Sequence, residues 1–279
     1  MKLSNYSLNY STLIARGEMD VFRFLGLCRA LGLEGASLHL RDLPDTRLET
    51  LARVRRAYLD HGLSVAMVTV STEFGQPPDR LGAELDRART AIQAAAFLGA
   101  PLLRVFAGSA SRTDRPAAWA SSVKCVRQVC QEAARVGLPI GLQNHNHGGL
   151  CGTGADLLRF VEQVQHPNPT VVLDCGQFVG SPGASGLPAR GSALDELIAS
   201  VRETASLARH VRVKFYHPAP DGHEPSIPYD QILDILRGVH YSSFLDIVYE
   251  PIRFGGEDVR TVLPRIVGSL RARISRSLP

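Results

Sequence analysis

The chain has 279 residues, 44% hydrophobic and 21% charged, which is enough apolar content to bury a large core and too little charge for a disordered chain. Its formal net charge is +4, but Lys and Arg are scattered rather than gathered into a tract, so the balance gives mild attraction to anions and no nucleic-acid footprint. The five cysteines, Cys28, Cys125, Cys130, Cys151 and Cys175, are odd in number and lack CxxC spacing, which argues against a disulfide framework and a structural zinc knot.

No uninterrupted apolar run reaches the roughly 18 residues of a membrane span. These features lead to the expectation of a soluble, cytoplasmic protein with a small-molecule substrate, an anionic one being compatible, and neither a nucleic-acid nor a membrane partner.

Short apolar runs alternate with longer segments of helical period. LSNYSL (3–8) is a weak first strand, and FRFLGLCRALGL (22–33) has helical spacing. GASLHL (35–40) reads as a strand, LETLARVRRAYLDHG (48–62) as a helix closed by glycine, and LSVAMVTV (63–70) as a buried strand. A helix over 81–100, a strand over 101–108 and a helix over 119–137 follow. The chain then reads GLPIGLQNHNHGG, a short strand ending in a polar run, before a helix over 153–165 and the strand TVVLDCG (170–176). Helices over 192–207, 229–239 and 257–274 alternate with VRVKFY (211–216) and SSFLDIVYE (242–250).

Eight strand–helix units of about 35 residues each, with no linker between them, predict one (β/α)8 TIM barrel over residues 1–279. Active sites of that architecture lie at the C-terminal ends of the strands. GLQNHNHGG, VLDCGQ, VKFYHP and IVYEP all fall there, and the irregular segments 176–191 and 217–228 lie on the same face, where loops can cover a ligand.

Side chains alternate faces along a strand, so parity groups Gln143 with His145, Asp174 with Val172, Arg212 with Lys214, Arg104 with Phe106, and Asp246 with Val248 and Glu250. The inward inventory is therefore Arg104, Gln143, His145, Asp174, Arg212, Lys214, Asp246 and Glu250, much polarity for a purely structural core. An unshifted imidazole titrates near neutral pH, which makes His145 the best general-base candidate. Asp174 is expected to accept a hydroxyl hydrogen bond or to hold Arg212, and Glu250 to act in the pocket or brace the mouth through an arginine. Lys214 and Arg104 suit an anion or a carbonyl, and His217 stands in a loop able to close over substrate, although loop histidines are more often solvated. Cys175 faces the helices by parity and reads as a buried thiol rather than a nucleophile. The chain has no GxGxxG after its first strand, no GxxxxGK[ST], no HExxH and no GxSxG.

LLRVFAG, GLQNHNHGG, LDCGQ, VRVK and IVYEP together resemble the sugar-phosphate isomerase and epimerase family with a xylose-isomerase-like barrel, related in fold to the metal-dependent AP endonucleases. The resemblance covers nearly the whole chain. It implies a divalent metal held by Glu, Asp, His and Glu from the fifth to eighth strands, with the two glutamates exchanging protons with sugar carbons. Those places fall here on Gln143, Asp174, Arg212 and Val248, and a further family histidine after the sixth strand is replaced by Gln177.

An amide is a feeble metal ligand, Val has no donor atom and a guanidinium has no lone pair, so no metal cofactor is expected and an Arg212–Asp174 ion pair is its simplest replacement. A displaced metal site built from His145, His147, Asp246 and Glu250 is conceivable only if their distances allow it. The resemblance implies an isomerase or epimerase acting on a small polyhydroxylated carbonyl compound by metal-independent acid/base catalysis, with Gln143, Gln177 and Arg212 among the substrate-binding groups. A lyase or dehydratase sharing the enolisation step, and a catalytically silent barrel that binds a sugar-like ligand or a protein partner, stay open. Homo-oligomers are common in barrels of this family.

Overall fold

The computed structural model describes residues 1–111, 113–182, 192–251 and 256–276. Its strands are β1 (Lys2–Tyr6), β2 (Gly35–His39), β3 (Ser64–Thr69), β4 (Leu103–Val105), β5 (Ile140–Gln143), β6 (Pro169–Asp174), β7 (Ala208–Phe215) and β8 (Phe244–Tyr249). Each strand pairs in parallel with the next, and β8 pairs with β1 through Leu3↔Leu245 and Ser4↔Asp246, so the sheet closes into a (β/α)8 barrel without edges. The helices are α1 (Ser11–Ala15), α2 (Val21–Ala30), α3 (Leu48–Asp60), α4 (Pro78–Leu98), α5 (Arg115–Ala134), α6 (Gly154–Val164), α7 (Ser192–Thr204), α8 (Tyr229–Gly238) and α9 (Val259–Ile274).

Local chemistry sets the boundaries. Asp20, Thr153 and Asp258 accept backbone N–H bonds at the starts of α2, α6 and α9, and Gly99 ends α4 in the left-handed region at φ 74°. Helices α4 and α5 begin earlier than the apolar period predicts, because Pro78 and Pro116 stand in their first turns, where a missing N–H costs nothing. Helix α1 was not expected; it forms a single turn between β1 and α2 and buries none of its residues, which is why no hydrophobic period announces it. Strand β4 stops at Val105 because Thr72 replaces the ladder, its hydroxyl accepting from the Phe106 N–H at 2.9 Å and donating to the Phe106 carbonyl at 2.8 Å.

The main apolar core lies between strands and helices, where Phe24, Leu38, Val54, Val126, Phe160 and Leu263 are fully buried. A second, smaller cluster of Met67, Leu102 and Val172 fills the inside of the barrel. Gly141 on β5 makes room for it, since a Cβ there would stand 2.6 Å from Val172 Cγ2 and 2.7 Å from Leu102 Cδ1. All five cysteines are buried and reduced. No helix among the described residues is long and apolar enough to cross a membrane. Of the segment 176–191, residues 183–191 lie outside the described residues.

Candidate active site at the barrel mouth

The polar run after β5 divides into two sets by alternation. Asn144 points away from the mouth and grips the backbone of Asp174, accepting from its N–H at 2.8 Å and donating to its carbonyl at 2.9 Å. Asn146 donates to the Phe178 carbonyl at 3.0 Å. The two asparagines thus tie the end of β5 to β6 and its loop, which leaves Gln143, His145 and His147 to face the cavities at the mouth.

Asp174 lies at the centre of this arrangement with its side chain fully buried. Its Oδ2 accepts from Gln143 Nε2 at 2.9 Å and stands 3.4 Å from Arg212 Nη1 and 3.8 Å from Lys214 Nζ. Arg212 Nη1 also donates to Gln143 Oε1 at 2.9 Å, so the amide bridges the ion pair. Lys214 Nζ donates to Glu250 Oε2 at 2.7 Å. Glu250 therefore pairs with a lysine and not with the arginine that the sequence suggested, because residues 214 and 250 lead toward the same end of neighbouring strands, in the register Lys214↔Val248.

Burial costs the Arg212 guanidinium part of its proton affinity, but Asp174 first and then Tyr6, Asp246 and Glu250 together more than restore it and raise its pKa. Burial alone would raise Glu250, yet the Lys214 charge, its hydrogen bond and the Arg212 charge together outweigh it and hold the carboxyl below its ordinary value. Arg104 is lowered to about 10 by burial and remains a cation at neutral pH. It donates to Tyr6 Oη at 3.1 Å and to the Val70 carbonyl at 3.1 Å, with its guanidinium 4.2 Å from the centre of the Phe106 ring.

His145 differs from its expected behaviour. Burial first, and the neighbouring His147 second, lower its pKa to about 4, so the ring is neutral at pH 7 and its conjugate acid is stronger than an ordinary imidazolium. Its ring stands edge-on to Phe106 at 5.2 Å and to His147 at 5.0 Å.

Tyr6, His39, Arg41, Ser71, Arg104, Phe106, Gln143, His145, Gln177, Arg212, Lys214 and Glu250 surround a cavity of about 110 Å³ at the C-terminal ends of the strands. Asp174 supports it from beneath. His217 is absent from its lining; the half-buried residue belongs to a loop pinned by Glu224, whose Oε2 accepts from the N–H groups of Tyr216 and His217 at 2.7 and 2.9 Å. Asp246, inward as parity requires, is removed from the cavity: it accepts from Ser4 Oγ at 2.7 Å and lies 3.4 Å from His210 Nε2 inside the barrel.

Sequence reasoning missed Tyr6 and His39. Tyr6 lies under the Arg212 guanidinium at 4.6 Å and hydrogen-bonds Thr69 at 2.6 Å. His39 accepts from the Arg41 N–H at Nδ1, so its Nε2 carries the proton toward Ser71 Oγ at 3.0 Å. Burial, then the Arg104 charge, lowers its pKa to about 2. Their strand-end positions on β1 and β2 were a usable signal.

A divalent metal does not fit this donor set. At the four places where the resemblance puts metal ligands stand one carboxylate, an amide, a guanidinium and a valine, and the Arg212 and Lys214 cations occupy the neighbourhood of the carboxylate. Among the described residues no three of His, Cys, Asp and Glu are grouped to hold a metal ion, so the displaced set of His145, His147, Asp246 and Glu250 is not brought together either.

Residues 25–261 match the family model of the xylose isomerase-like TIM barrel, and the chain belongs to that family. The fold is similar to D-psicose 3-epimerase of Clostridium cellulolyticum H10 solved with D-tagatose, at 17% identity, 98% coverage of both chains and a TM-score of 0.77. It is also similar to the probable 3-DHS dehydratase of Bacillus anthracis involved in petrobactin synthesis, at 17% identity, a TM-score of 0.71 and coverage of 97% of this chain and 99% of that one. The 3-keto-D-glucoside 4-epimerase of E. coli has 16% identity and a TM-score of 0.69 over 91% of this chain and 94% of its own. No curated protein matches the sequence.

Proposed function

We propose that the protein is an isomerase or epimerase for a small polyhydroxylated carbonyl compound, and that fixed cations do in this barrel the electrostatic work for which its relatives by resemblance use a metal. The observation that carries this reading is the placement of Lys214 and Arg212 around the one remaining carboxylate of the metal pattern, at the wall of a cavity that also presents a neutral His145 and the ionised Glu250. In the proposed step His145 removes a proton from the carbon beside the carbonyl, the C–H electron pair moves into the C–C bond, and the carbonyl π pair goes to oxygen. The Lys214 and Arg212 charges stabilise the enolate oxygen. A proton then goes either to the former carbonyl carbon, as the adjacent hydroxyl proton passes to the enolate oxygen, to give the isomer, or to the opposite face of the same carbon from a second donor, the Lys214 ammonium or a water molecule, to give the epimer.

A base whose conjugate acid has a pKa of about 4 is weak, so the cations must carry much of the barrier lowering. The names of the similar structures, two epimerases and a probable dehydratase, support chemistry of this general kind. A second reading, a silent barrel that only binds, is favoured by one observation: Asp174 is already engaged by Gln143, Arg212 and Lys214.

Incubating the protein in D2O with a panel of ketoses, keto-glycosides and sugar acids, and following deuterium entry by NMR, distinguishes the two. Exchange beside the carbonyl of at least one class is expected, falling about 100-fold or more in His145→Ala and Lys214→Met. Binding without exchange across the panel would leave the silent barrel.

A further inference from the structure

The mouth is more cationic than its carboxylates balance. Arg41, Arg104, Arg212 and Lys214 line the cavity, facing Glu250 and, beneath it, Asp174, with the buried Asp42 carboxylate 3.9 Å from Arg41 Nε; the further carboxylate of Asp246 lies inside the barrel beside His210. Two of these cations are arginines almost wholly withdrawn from solvent, at 2% exposure each. Their hydrogen-bonding capacity is not used up: Nε and Nη2 of Arg212 and Nε of Arg104 have no partner. Since Nη1 of Arg212 serves Gln143 and Asp174, the unused pair is one complete edge of the guanidinium, a two-donor fork that matches the two oxygens of a carboxylate. Buried donors left unpaired are costly, and a group that supplies two acceptors and a negative charge at once removes both deficits.

A second cavity of about 160 Å³ adjoins the first and shares Ser71, Phe106, Gln143 and His145 with it. Its remaining wall differs in character. Glu73, Ser109 and His147 replace the cations, with Glu73 Oε2 accepting from the Ser109 N–H and hydroxyl at 3.0 Å each. Together the two cavities approach the lower end of ligand pockets, about 300 Å³. The acidic and hydroxyl-bearing wall suits a polyol and repels an anion, whereas the arginine wall does the reverse.

We infer that the ligand of this site is a sugar acid: its carboxylate lies on the Arg212 and Arg104 side, and its hydroxylated chain passes His145 toward Glu73 and Ser109. The inference rests on the proposed function for the use of the site but not for the binding itself, so it is tested by binding without turnover. Isothermal titration with a panel of hexuronates and aldonates, their parent hexoses, and the hexose 6-phosphates is the experiment. At least one uronate or aldonate is expected to bind tenfold or more tighter than its neutral parent. The Arg212→Lys protein, which keeps a cation against Asp174 but lacks the fork, is expected to lose at least tenfold in that affinity while its thermal midpoint shows it folded.

Equal binding of acid and parent sugar, absence of binding by every acid at millimolar concentration, or undiminished binding by folded Arg212→Lys would overturn the inference. Tighter binding of the hexose 6-phosphates than of every acid would also overturn it in favour of a phosphate ligand. Acid binding without deuterium exchange would leave the inference standing and remove the proposed reaction. Exchange confined to neutral ketoses would do the opposite.

Discussion

His39 and His145 show how the same side chain changes with its surroundings. Both are held neutral, at pKa values of about 2 and about 4, chiefly because burial penalises the imidazolium, with Arg104 next in importance for His39 and His147 for His145. An unfolded chain restores them to near 6.5, so the unfolded state binds more protons than the native state once the pH falls below that value, and stability is lost on acidification. Between pH 7 and pH 5 the loss should be about 1 to 2 kcal/mol for His39, and less for the more accessible His145. Glu250 titrates from an ordinary value of 4.5 downward and adds its own loss only at lower pH. Urea unfolding at the two pH values checks this, and His39→Gln should flatten the dependence; an identical slope in that variant would mean that another group titrates.

At the level of elements, the site depends on loops that hold one another by backbone contact. The loops after β3 and β4 meet at Gly75 and Gly108. Gly108 adopts φ 101°, and a Cβ there would stand 2.5 Å from the Gly75 nitrogen. This approach sets Glu73 against Ser109 and thereby forms the acidic wall of the second cavity. Gly108→Ala is expected to cost about 1 to 3 kcal/mol in strain and displacement, measured as a shift of the urea midpoint, and an unshifted midpoint would show that the loops can part freely. The strands were legible from apolar runs and their ends from polarity, whereas the Gly75–Gly108 contact was not, because no local pattern marks which two glycines of a chain will touch.

For the whole molecule, closure by β1 with β8 makes each strand a neighbour of two others and joins the chain's beginning to its end. The outer helices pack around one extensive core, which leads us to propose that the chain unfolds as one domain. Trp119, the sole tryptophan, lies on α5 with its ring 5.1 Å from that of Phe160 on α6, and so reports tertiary packing on one side of the barrel. Its fluorescence and far-UV circular dichroism should follow a single coincident urea transition. Two separated transitions would mean that part of the barrel melts independently.

Alternation of apolar runs with helical periods determined the barrel, and strand parity determined which side chains enter it, because both are local properties of the order of residues. The weakness of the metal pattern was equally plain from residue type alone: a glutamine, an arginine and a valine have the same donor chemistry in any fold. Tertiary structure decided what those residues do instead. It brought Lys214 to Glu250, paired Asp246 with His210 inside the barrel, added Tyr6 and His39 from strands distant in sequence, and made His145 a weaker base than its type suggests. Partner distance and burial depend on the closed sheet as a whole, and these set the charge and proton affinity of the groups that GLQNHNHGG and its neighbouring strand ends contribute.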